Sequence, residues 1–281
     1  MFAYMGGKKH HSKWISPYIP SDFKTYVEVF GGAMWVYWMS DKVPVETNVY
    51  NDFNRHLSNI FSCASSDPKH FTEVLESYVE DLHNDELFEE YKIDVFDVYG
   101  TEFIVPDFPL AAKYIFLQTQ TFAGNTNLTK DSKIYKHPTE NIDGKPYTQK
   151  FNQTINKMTH KNYLMKLRKL SVENLDCREV INKYDSDSTF FYIDPPYYNM
   201  ESYYTSHDFG HDDHVELCEL LKTIKGRWAL SYYFFDDLPR LLPRDEYVWH
   251  HQKVFSGNAR VSTAERTELL IMNYKTGLSF L

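Results

Sequence analysis

Asp194, Pro195, Pro196 and Tyr197 stand directly after the apolar run Phe190–Ile193 (FFYI). That run has the composition of a short buried strand. Open α/β sheets gather ligands and reactive groups at the carboxyl ends of their strands. Two consecutive prolines lock the backbone there and remove two N–H donors. The Pro195 carbonyl is then presented as a fixed acceptor. Asp194 supplies a second acceptor, and Tyr197 offers an aromatic face to a planar ring. These parts suit one chemical problem, alkylation of an exocyclic amino group such as that of adenine. Its lone pair is delocalised into the ring, which makes the nitrogen a poor nucleophile. Two acceptors gripping its two N–H bonds favour a pyramidal nitrogen able to attack a methyl group. Alignment of donor and acceptor supplies much of the remaining acceleration. Neither a covalent enzyme intermediate nor a metal is required. A turn that merely ends a strand would carry the same four letters, so the segment must be weighed with its context.

Three other segments could meet a ligand. Glu28-Val29-Phe30-Gly31-Gly32 follows an apolar run, and glycines there allow close backbone approach. Asp52 ends the next β-rich run, where an acid either holds ribose hydroxyls or caps a helix. Tyr4-Met5-Gly6-Gly7-Lys8 could place a cation near a carboxylate. His207, His211 and His214, interleaved with Asp208, Asp212 and Asp213, resemble metal ligands only superficially. Gly210 and a helix cap at Asp212 or Asp213 break the face they would need, so no metal site is expected. His10 and His11 read as exposed polar residues or phosphate neighbours.

The elements that must position these groups follow a βαβα rhythm. Strands are expected at Tyr26–Phe30, Thr47–Tyr50, Val172–Leu175, Phe190–Ile193, Trp228–Tyr232 and Glu268–Tyr274. A buried helix begins at Met34–Met39, a second runs through Leu57 and Ile60, and another covers residues 212–224. Residues 68–128 look largely helical, with an irregular part near Tyr99–Pro109. Residues 129–150 read as a polar loop or small subdomain, and helical pattern returns near Thr154–Leu170. A doubly wound sheet interrupted by about one hundred residues of other structure is thus expected.

The chain carries a net charge of −9, which by itself speaks against a nucleic-acid partner. The distribution reverses that reading. Residues 129–169 hold ten Lys or Arg and three acids, a net +7, which leaves −16 elsewhere. Screening limits the reach of distant charge to about 10 Å, so a local basic patch on an acidic body still attracts phosphates. The three cysteines, Cys63, Cys177 and Cys218, are odd in number and far apart. They argue against a disulfide framework and against a Cys-x-x-Cys metal site. No secretory signal and no apolar run long enough to span a membrane is read, so a cytoplasmic protein is expected.

With these segments in hand, the sequence resembles the Dam-like, alpha-ordered D12 class of DNA adenine N6-methyltransferases of bacteria and phages. Tyr4–Lys8 resembles the family's N-terminal cofactor motif, and Val27–Ala33 its first glycine motif. Asn51-Asp52-Phe53-Asn54 resembles the acid motif, and Asp194–Tyr197 the catalytic motif. Tyr203-Tyr204-Thr205 with Phe209, and Arg266–Leu270, resemble later segments. Thr121–Asn125 is similar to a segment of the family's target-recognition domain. The resemblance implies a Rossmann-like class I fold with a mostly helical target-recognition insertion. Catalytic parts would be 1–52 and 172–281, with the insertion and connecting helices at 53–171. It implies S-adenosyl-L-methionine as cofactor, touched by Tyr4, Gly7, Lys8, Glu28, Phe30, Gly31, Gly32, Asp52, Asp176 and Asp194. Asp194, Pro195, Pro196 and Tyr197 would act on the base, which must first leave the duplex. Double-stranded DNA would lie against Lys9, Asn125, Lys130, Lys133, Lys136, Lys145 and Lys150. Two departures stand out: Trp35 replaces a small residue after the glycines, and the segment after Gly124 lacks an arginine the family often carries. Cytosine N4, RNA adenine or a protein glutamine are rival acceptors, against which Asp194 favours adenine. A non-catalytic DNA-binding relative is the other alternative.

Overall fold

The computed structural model describes residues 8, 11–98, 104–121, 149–198, 209–255 and 265–276. Seven strands form one sheet: β1 (Thr25–Glu28), β2 (Thr47–Asn51), β3 (Leu170–Glu173), β4 (Thr189–Ile193), β5 (Arg227–Tyr233), β6 (Val248–Phe255) and β7 (Glu265–Met272). Their order is β3-β2-β1-β4-β5-β7-β6. The first five are parallel neighbours, and β7 runs antiparallel to both β5 and β6. This is the expected doubly wound, class I methyltransferase architecture. Strand order reverses between β1 and β4, where Glu28 lies opposite Tyr192. Ligands of such sheets sit at that crevice.

The sheet separates two apolar layers, and strand periodicity decides which side chain joins which. Neighbours point to opposite faces. Tyr26, Tyr50, Phe190 and Tyr192 enter one core, while Val27, Val49, Phe191 and Ile193 enter the other. Strand β4 is buried throughout, as a central parallel strand must be. The second core is covered by α9 (Cys177–Tyr184), α10 (His211–Leu221) and α11 (Leu238–Leu241).

The first core receives α1 (Ser12–Ile15), α2 (Trp35–Met39) and the helices between β2 and β3. These are α3 (Arg55–Ser66), α4 (Pro68–Ser77), α5 (Asp85–Asp97), α6 (Phe108–Gln120), α7 (Gln149–Thr159) and α8 (Lys161–Leu167). Short polar residues set their starts. Asn54, Asp67, Asn84 and Asp107 accept N–H bonds from the first turns of α3 to α6 in order. Helix α3 packs on β2, β3 and α6. Helix α6 is apolar on nearly every side and is correspondingly buried. Lys166 of α8 closes α2, its ammonium donating to the carbonyls of Tyr37 (2.7 Å) and Ser40 (2.7 Å). Among the described residues, no helix is long and apolar enough to cross a membrane.

Several boundaries differ from the sequence expectation, each for a local reason. β1 stops at Glu28 rather than Phe30 because the chain must turn through Gly31. β3 stops at Glu173 rather than Leu175, since Asn51 captures the Leu175 N–H and Asp176 caps the next helix. The cap of α10 is Gly210, not Asp212 or Asp213; the Asp213 carboxylate accepts the Gly210 N–H from the third helical position. Strand β6 (VWHHQKVF) and helix α9 were not anticipated. β6 is an edge strand whose polar centre hides its pattern.

Candidate active site

The ends of β1, β2 and β3 are tied together by one amide. Asn51 donates to the carbonyls of Val29 (2.9 Å) and Leu175 (3.1 Å) and accepts from the Leu175 N–H (2.9 Å). The Gly31 N–H reaches back to the Asn51 carbonyl (2.7 Å). Gly32 adopts φ 48°, a left-handed conformation that glycine takes without steric cost. Gly31 is required for a different reason. A Cβ there would fall 2.3 Å from the buried Tyr50 ring, whose hydroxyl donates to the Gly32 carbonyl. The space left by Gly31 is thus filled by Tyr50.

Asp52 closes this turn. One carboxylate oxygen accepts the Gly32 N–H (2.8 Å) and the other the Asn54 N–H (2.8 Å). Burial pushes its carboxyl up to about 6, although the two N–H groups oppose the shift. A carboxylate offers about four lone-pair sites, so acceptor capacity for hydroxyl groups remains.

At the end of β4 a second group assembles. Lys8 Nζ lies 2.9 Å from Asp194 Oδ1 and 3.1 Å from Glu268 Oε1. It also donates to the Tyr197 hydroxyl and sits 4.4 Å from the centre of that ring. The Tyr197 hydroxyl in turn faces both Asp194 Oδ1 (3.2 Å) and Glu268 Oε1. Tyr233, opposite Glu268 across β5 and β7, supports the ring at 4.2 Å. Burial raises the Asp194 carboxyl to about 6, with Lys8 opposing and Glu268 adding to the rise. Burial, Asp194 and Glu268 together push the Tyr197 phenol well above its ordinary value, so it stays a donor.

Glu28 completes the cluster from β1. It accepts from the Tyr26 hydroxyl (2.8 Å), and burial raises it to about 8, with Asp194 contributing. The unfolded chain ionises this acid near its ordinary 4.5, whereas the folded chain keeps its proton to about pH 8. Its contribution to stability is therefore present at low pH and lost as pH rises across that interval. Glu28→Gln is expected to remove that loss. Thermal midpoints of the variant should gain on the wild type from pH 5 to pH 8, then run parallel; a constant offset would refute the assignment.

The fold thus brings Lys8, Glu28, Asp194 and Tyr197 together, with Gly31, Gly32 and Asp52 at the neighbouring strand ends. Phe30 packs edge-on against Phe209. Asp176 stands apart as the cap of α9, paired with Arg178, which also reaches Asp213 and Glu216. Lys150 is partly buried in the first turn of α7, and burial lowers its ammonium. Tyr4, Gly7, Lys9, Asn125, Lys130, Lys133, Lys136 and Lys145 lie outside the described residues. Trp35 is buried in the first core, with Lys157 over its ring. His214 is buried and bonds the Tyr232 hydroxyl, whereas His211 is exposed beside Asp237. No group of three potential metal ligands occurs among the described residues. Sequence reasoning placed Glu268 at the head of a strand and in the Arg266–Leu270 segment but gave it no part in the site. Its signal was an acid directly joined to the apolar run Leu269–Met272, where an unpaired charge would be costly.

The chain is similar to "Type II methyltransferase M.CviBI" of Paramecium bursaria Chlorella virus NC1A, 23% identical over 277 residues, covering 96% of this chain and 98% of that protein. It is also similar to "Type II methyltransferase M.MjaIII" of Methanocaldococcus jannaschii, 23% identical over 301 residues, covering 96% and 97%. The family profile described as D12 class N6 adenine-specific DNA methyltransferase matches residues 4–256. Sheet order, clustered carboxylates and a match across nearly the whole chain agree, and the protein belongs to the D12 class of N6 adenine-specific DNA methyltransferases.

Proposed function

We propose that this protein transfers a methyl group from S-adenosylmethionine to N6 of a flipped-out adenine at a specific site in double-stranded DNA. The observation that carries this reading is the half-buried Asp194 carboxylate at the strand-order reversal, held by Lys8 and Tyr197. The donor set suits the cofactor. Asp194 shares Lys8 with Glu268, which leaves its carboxylate able to face a further cationic group. Asp52 would take the ribose hydroxyls, with Gly31 and Gly32 beside the methionine end. Tyr4, Gly7, Lys8, Glu28 and Phe30 would complete the pocket, and Asp176 would lie toward the adenine. When bound, S-adenosylmethionine supplies an electrophilic sulfonium methyl.

The chain's own residues then act on the acceptor. Lys8 and Tyr197 both engage Oδ1 of Asp194, so Oδ2 is assigned to one adenine N–H. The Pro195 carbonyl takes the other, and Pro196 keeps that carbonyl rigid. Tyr197 supports the base, and Asp194 receives the proton that N6 sheds. Residues 53–171 would supply target recognition between the catalytic parts 1–52 and 172–281. Lys9, Asn125, Lys130, Lys133, Lys136, Lys145 and Lys150 would face the DNA.

Purified protein incubated with labelled cofactor and duplex DNA should yield N6-methyladenine on nucleoside digestion. N4-methylcytosine alone, or cofactor binding with no methylated nucleoside, would overturn the reading. The pH profile adds a sharper expectation. Asp194 must be ionised to take up the proton that N6 sheds, and its carboxyl sits near 6. Activity (kcat/KM) should therefore fall as pH drops through about 6, instead of surviving to about 4 as an ordinary aspartate would allow. A profile flat down to pH 5 would show that another group limits the rate.

A further inference from the structure

We infer that Glu268 is a positioning residue for methyl transfer, acting through Lys8 and Tyr197; the inference rests on the function proposed above. Glu268 is 1% exposed, on a strand that runs antiparallel to β5. Its position opposite Tyr233 sets it beside the end of β4, where Asp194 and Tyr197 stand. One oxygen, Oε1, lies 3.1 Å from Lys8 Nζ and also accepts from the Tyr197 hydroxyl. The same ammonium and the same hydroxyl both engage Asp194 Oδ1. Two acids thus share two donors in a closed ring of four side chains. A carboxylate so deeply buried needs a counter-charge and hydrogen-bond donors, and Lys8 and Tyr197 provide both at Oε1.

The ring has two consequences for the reaction. Tyr197 cannot rotate without breaking a charge-assisted bond, so the plane offered to the base is fixed. Lys8 is divided between two acids, so its charge does not fully neutralise Asp194. That leaves Asp194 the stronger acceptor toward an amino group. Glu268 itself touches neither reacting atom in this scheme, which separates it from the catalytic residues.

The test compares Glu268→Gln and Glu268→Asp with the wild type and Asp194→Ala. N6-methyladenine from the wild type and none from Asp194→Ala would establish the underlying reading independently. Glu268→Gln should then lower kcat about 10²-fold, as small misplacements at reacting centres do. KM for the cofactor should change far less. The acid limb should also move to lower pH, because the charge that raises Asp194 is gone. Glu268→Asp keeps the charge with a shorter reach, so it should lower kcat while leaving the limb in place. A merely structural role would lower the thermal midpoint and leave the limb unmoved. Wild-type kcat or an unmoved limb in Glu268→Gln overturns the inference. Should that variant not fold, wild-type kcat in Glu268→Asp overturns it instead.

Discussion

Asp194→Ala is expected to lower kcat by at least about 10³-fold while the folded state survives at full stability. The kinetic part follows from its role. Removing one preorganised partner of a developing charge costs about 10²–10³ in rate, near 3–4 kcal/mol of barrier. Asp194 additionally takes the departing proton in the proposed scheme, so the loss should lie at or beyond that range. The stability part follows from its environment. A carboxyl raised to about 6 is less comfortable as an anion here than in the unfolded chain. Above pH 6 the ionised side chain therefore costs the fold some stability, and alanine removes that cost. Lys8 keeps Glu268 as its partner. Single-turnover methylation with matched thermal melts would check both halves. Residual activity within tenfold of wild type would defeat the mechanism, and a large drop in melting point would defeat the stability argument.

Gly31→Ala is expected to destabilise the protein by about 1–3 kcal/mol, the usual cost of forcing a methyl group into a packed site. The added carbon would meet Tyr50 at 2.3 Å. That ring has no room to yield, because it is fully buried against Phe61 and its hydroxyl is committed to Gly32. The backbone must shift instead, and the Gly32–Asp52 bond shifts with it. Cofactor affinity should therefore fall together with stability. Chemical denaturation reads the first effect and calorimetric titration with S-adenosylmethionine the second. An unchanged unfolding midpoint would mean that the turn relaxes freely, and unchanged affinity would place the cofactor away from it.

Much of this site could be read from the linear chain because its chemistry is local. Asp194 to Tyr197 follow a strand whose five residues are all buried, and the double proline forces the same rigid exit whatever surrounds it. Gly31, Gly32 and Asp52 were recognisable because strand ends and turns obey short-range rules. The βαβα order carried the doubly wound sheet for the same reason. Other features resisted. β6 escaped notice because an edge strand tolerates a polar centre. Only the fold shows why position 31 must be glycine: Tyr50, nineteen positions away, occupies the space a side chain there would need.

The sequence by itself determined which groups are available and in what order the elements carry them, since propensity, capping and turn chemistry act over a few residues. Tertiary structure alone decided which of them meet. Lys8 and Tyr197 are 189 positions apart, and Tyr197 and Glu268 are 71 apart. Only the closing of β7 against β5, beside the end of β4, brings those charges within bonding distance. Buried acids need a counter-charge, but nothing in a linear chain says from which distant segment it will come.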